Sequence, residues 1–181
     1  GDAIYAAKHG DYQGFIDHGL MDPKWKDYLT ICGIRNPFSF HLNQYIRAET
    51  RLRQVDDPNS HFSEFSEEQR MEKKRMFEKI VGQSFKQYMK NKFKVGKEVF
   101  LHRKYIEHAQ FFIHQEWLED DIDKLKKKIN LPSDFSVPIK GVTPGGPNNR
   151  EKYVGYYDED LVEFVYSLNR PFFDRFPEYE F

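Results

Sequence analysis

The sequence predicts an α/β fold with a mainly parallel sheet flanked by helices. Two apolar, β-rich runs at 28–34 and 109–114 each lead within a few residues into a stretch with helical spacing, and strands alternating with helices favour parallel pairing. With 181 residues, 39% of them hydrophobic and 17 of them Phe, the chain is long enough to bury a substantial core, and we expect a single domain over residues 1–181.

The first run, Tyr28-Leu29-Thr30-Ile31-Cys32-Gly33-Ile34, is nearly continuous in apolar and β-branched residues, the pattern of a strand buried on both faces and central in its sheet. Asn36 then supplies a helix N-cap and Pro37 a pre-set first helical residue, with Phe38, Leu42, Tyr45, Ile46 and Leu52 recurring at helical spacing. Asp-Asp-Pro-Asn-Ser at 56–60 is a turn. Ser66 and Ser84 each precede a glutamine by three residues, so both open helices through capping boxes, the first ending at Gly82 and the second carrying Phe85, Tyr88 and Met89 on one side. The lysine-rich residues 86–97 read as a solvated face. After the second run, Glu119-Asp120-Asp121 opens a helix that faces Ile122, Leu125 and Ile129 one way. A long Gly/Pro-containing loop at 130–149 follows. Asp158 caps the last helix, with Leu161, Val165 and Leu168 on its apolar face, Pro171 ends or kinks it, and the aromatic tail 172–181 is expected to pack back on the core.

Composition excludes several classes. A net charge of −1 provides no broad positive field for nucleic acid or anionic lipid, so an anion site must be local. The single cysteine, Cys32, forms no intrachain disulfide and reads as a small buried side chain. No stretch has the roughly 20 apolar residues of a membrane span, and a cytoplasmic or excised soluble domain is the expectation. No Cys/His/carboxylate set has metal-ligand spacing.

Chemistry concentrates where the first strand ends. Ligands of open α/β sheets bind beyond the carboxyl ends of strands, and Arg35 stands at that edge, with a guanidinium able to grip phosphate through two parallel hydrogen bonds. Ser39, Asn43 and Arg47 follow at four-residue intervals and form a polar stripe opposite much of the apolar face. Taken alone, an arginine at a strand end also serves to cap carbonyls or to pair with a carboxylate.

A strand followed by Arg35-Asn36-Pro37, with Asn43 eight residues and Tyr45 ten residues after the arginine, resembles the R-[DN]-P-x5-S-x-Y signature of sulfotransferases that use 3′-phosphoadenosine 5′-phosphosulfate (PAPS). The segment 112–122 is similar to the family's "yEnLeeDi" stretch, with Glu116 and Leu118 in step. Residues 156–165, continued by Phe173-Asp174-Arg175-Phe176 and Tyr179-Glu180-Phe181, look like the terminal helix and tail of its carbohydrate-type and bacterial members. The resemblance extends from about residue 8 to residue 181, with a divergent middle between 51 and 109. It implies a P-loop-NTPase-like sulfotransferase fold, truncated at its N-terminus, because no Pro-Lys-x-Gly-[ST]-[ST]-like turn for the 5′-phosphosulfate occurs in residues 1–34.

The same resemblance implies PAPS as co-substrate and a hydroxyl of a carbohydrate or small molecule as acceptor. Arg35 matches the arginine that holds the 3′-phosphate; Asn43 stands where the family has serine, and Phe40 where related members have arginine. Arg150 and Lys152, after the Gly/Pro loop, are candidates for a second clamp on that phosphate. His9 lies where related enzymes place a catalytic histidine and is the first choice for the base that takes the acceptor proton, with His18 and His41 behind it. Glu116 reads as a residue that orients the neighbouring loop or makes a structural hydrogen bond. An alternative of another class is a catalytically incomplete sulfotransferase-like module that binds a nucleotide or a protein.

Overall fold

The computed structural model describes residues 12–20, 22, 24, 27–93, 103–132, 134–135 and 153–181. Its chain divides into two compact units, Gly1–Arg35 with Leu101–Lys140, and Asn36–Phe100 with Gly141–Phe181.

In the first unit, helix α1 (Tyr12–Asp17) precedes strand β1 (Ile31–Ile34), and the two strands described, β1 and β2 (Phe111–His114), pair in parallel with Ile31 opposite Phe111 and Ile34 opposite His114. The expected α/β class with parallel pairing is therefore present. β1 itself differs from expectation. Its side chains alternate, with Cys32 and Ile34 buried while Ile31 is 40% exposed, so one face is open where a strand buried on both faces was expected. Apolar runs do not distinguish one covered face from two, and the alternation is set by what packs on the sheet. Burial pushes the Cys32 thiol up, which keeps it protonated and unreactive.

After the short helix α5 (Arg103–Ile106) and β2, a 3-10 turn (Gln115–Trp117) leads into helix α6 (Leu118–Ile129). Acidic residues fill the first turn of α6 and three lysines fill the last, both favourable to the helix dipole. Ile122 and Leu125 are buried, whereas Ile129, the helix's last residue, is exposed. Asn130 stops the helix in the left-handed conformation (φ 54°), which asparagine tolerates better than other side chains with a Cβ.

In the second unit, α2 (Pro37–Gln54) begins as the sequence predicts, with the Asn36 side chain accepting from the Phe38 N–H and Pro37 in the first turn. A 3-10 turn (His61–Glu64) follows, then α3 (Glu67–Val81) and α4 (Phe85–Lys92), both opened by complete capping boxes at Ser66 and Ser84. A 3-10 turn (Val154–Tyr156) precedes α7 (Glu159–Leu168), whose cap Asp158 accepts from the Leu161 N–H. Pro171 does more than end α7: the chain breaks at Asn169 and restarts as α8 (Arg170–Arg175), with the proline in its first turn, where no N–H is needed.

The second unit's core is aromatic. Fully buried Phe38 has the rings of Phe181, Tyr166 and Tyr157 around it at 4.9, 5.1 and 5.3 Å between centroids, so the tail does pack back as expected. Tyr157 also donates to the Phe38 carbonyl at 2.7 Å, and its burial drives the phenol's ionisation far upward. Leu42, Met89, Leu161 and Val165 complete this core, and Val55, Phe62 and Phe77 form a second cluster between α2 and α3.

Candidate functional site

Arg35 is the first residue past β1 and is half-buried. Its neighbour Asn36 is occupied structurally: the amide oxygen caps α2, while Nδ2 donates to the Tyr153 hydroxyl at 3.3 Å and the Glu180 carbonyl at 3.2 Å. Within the Arg-Asn-Pro triplet, asparagine and proline start the helix, and the arginine stands between that start and the end of β1.

The register of the sheet puts a second functional group at the same edge. Ile34 pairs with His114, so Arg35 emerges beyond one strand end and His114 closes the adjacent one, on backbones about 5 Å apart. The His114 imidazole is held through Nδ1 by Asp121 Oδ2 at 2.6 Å, and the same oxygen accepts the His114 backbone N–H at 2.8 Å. Lys124 Nζ donates to the other carboxylate oxygen at 2.8 Å. The Asp121 side chain is 3% exposed and that of His114 is 16% exposed. The Trp117 ring packs against the imidazole at 5.2 Å between centroids.

Burial on its own pushes the Asp121 carboxyl up, but the Lys124 ammonium and the two bonds from His114 outweigh it and hold the group below its ordinary value. An ionised carboxylate at this distance accepts the Nδ1 proton, so in the neutral ring Nε2 is the nitrogen with a lone pair. This cluster is the part of the site that the sequence reading missed. The signal was a histidine ending a strand, with an aspartate seven residues later in the first turn of the next helix.

The other expected residues are spread differently. Asn43 lies on α2 in the second unit, with its Oδ1 buried and without a hydrogen-bond partner. The expected polar stripe is corrected: Ser39 is buried at 1% exposure, and only Arg47 faces solvent. His41, a runner-up for the base, is also corrected. It is 1% exposed, its Nε2 meets Asn169 Nδ2 at 3.2 Å, and burial, aided by the Lys92 charge, pulls it down to about 3, so it remains a neutral core residue. Tyr45, the last residue of the signature, donates its hydroxyl to the Gln83 carbonyl at 2.5 Å and packs on Phe85 and Tyr88. His18 is exposed after α1, and Glu116 is half-buried in the 3-10 turn. His9, Arg150 and Lys152 lie outside the described residues.

No protein-family model matches the chain, and neither a curated protein nor a solved structure matches it. Among the described residues no helix is long and apolar enough to cross a membrane.

Proposed function

We propose that the protein transfers a sulfuryl group from PAPS to a hydroxyl of a carbohydrate or small-molecule acceptor, on a P-loop-NTPase-like sulfotransferase fold in a cytoplasmic setting. The observation that carries this reading is Arg35 at the carboxyl end of a parallel strand, followed at once by an Asn-Pro helix start. In this reading the guanidinium takes two oxygens of the donor's 3′-phosphate, a planar fork meeting a planar pair of acceptors. The resemblance also assigns Asn43, Arg150 and Lys152 to that phosphate.

In the reaction the acceptor oxygen attacks sulfur as its proton passes to a base, the role the resemblance gives to His9. The bond from sulfur to the 5′-phosphate oxygen breaks, and 3′-phosphoadenosine 5′-phosphate departs with the electron pair. Binding the 3′-phosphate equally in ground and transition states makes Arg35 a residue of donor affinity.

Transfer from radiolabelled PAPS onto a panel of sugars and small alcohols tests the proposal. Arg35→Ala should raise KM for PAPS by about ten- to a hundredfold with a smaller change in kcat. An unchanged KM would remove Arg35 from the donor site.

A further inference from the structure

The His114–Asp121 pair has the arrangement a general base requires. The carboxylate bonds Nδ1 at 2.6 Å and is itself anchored by a backbone N–H and by Lys124, each at 2.8 Å, so the ring is held in one orientation with Nδ1 turned to the carboxylate. Its place is also informative. His114 ends the strand paired with the one that delivers Arg35, at the sheet edge where open α/β folds bind ligands.

We infer that His114 Nε2 takes the proton from the acceptor hydroxyl during sulfuryl transfer, with Asp121 as its positioning residue; this rests on the donor reading of Arg35. The O–H bond of the acceptor breaks toward Nε2 as its oxygen bonds to sulfur. The bond between sulfur and the 5′-phosphate oxygen breaks, and the positive charge that forms on the imidazole is offset by the Asp121 carboxylate. The proton then leaves to solvent. In this mechanism His114 has the role that the resemblance assigned to His9.

The test uses the full chain, with transfer from PAPS and calorimetric binding of 3′-phosphoadenosine 5′-phosphate measured side by side. His114→Asn keeps a side-chain N–H for Asp121 but has no Nε2, so a purely structural histidine would tolerate it. It should bind the nucleotide as the parent does, yet lose about a hundredfold or more in kcat. His114→Gly should regain transfer when free imidazole is added, and Asp121→Asn should lower kcat while leaving KM for PAPS in place. Undiminished transfer by His114→Asn, or loss of transfer in His9→Ala together with normal turnover in His114→Asn, overturns the inference and leaves the donor reading standing. If the parent chain binds no nucleotide, the donor reading itself fails and the inference falls with it. If the parent binds nucleotide but transfers to no acceptor, the base assignment is overturned and the binding-module alternative stands.

Discussion

All three hydrogen-bonding groups of the Asn36 amide are engaged inside the second unit, one on the α2 cap and two on Tyr153 and the Glu180 carbonyl. Asn36→Ala should therefore lower stability by about 2 kcal/mol, more than an ordinary cap loss, as measured by urea unfolding. His41 makes a second residue-level prediction. The folded protein keeps it neutral down to about pH 3, whereas the unfolded chain protonates it near 6.5. A depressed native value means that the stability is whole above pH 6.5 and falls as pH drops toward 3, by about 1.4 kcal/mol per unit within that window. His41→Phe should flatten that slope relative to the parent; parallel slopes would contradict it. Neither residue's role was fully legible beforehand. Asn36 declared its cap through the proline beside it, but its two donors reach residues more than a hundred positions away. His41 and Ser39 looked available because local spacing reports a helix face and not what covers that face.

Among the elements, the helices were the most readable, because their boundaries are set by local chemistry. Ser66 and Ser84 each bond the backbone of a glutamine three residues on, and each glutamine returns the bond. Ser84→Ala should cost about 1 kcal/mol and fray the start of α4, visible as faster amide exchange at Gln87 and Tyr88. The strands were less readable. Strand positions were found in both runs, yet β1 is shorter than its apolar run, and its alternate burial depends on partners distant in sequence. The His114–Asp121 bond belongs to this scale too, since it forms only because a strand end and the next helix's first turn meet across the intervening 3-10 turn.

At the scale of the whole molecule, the two units differ in how they are held. The second unit surrounds Phe38 with four aromatic rings within 5.8 Å, while the described sheet of the first is two strands whose residues are half-buried or alternately exposed. Two-stranded sheets are weak alone, and stability follows burial, so amides of α2 and α7 should exchange with solvent more slowly than those of β1 and β2. Equal protection in both sets would contradict that ranking. Length and composition bound a core's size and leave its partition open; that β1 pairs with β2, some eighty residues later in the chain, is a long-range contact that no local pattern records.

Calorimetric titration with 3′-phosphoadenosine 5′-phosphate tests most directly whether Arg35 anchors the 3′-phosphate of a nucleotide donor, as we propose. The parent chain should bind one-to-one, and Arg35→Ala should bind about ten- to a hundredfold more weakly, the loss of one charge-assisted bidentate contact. No binding by the parent, or the same affinity in both proteins, would contradict it.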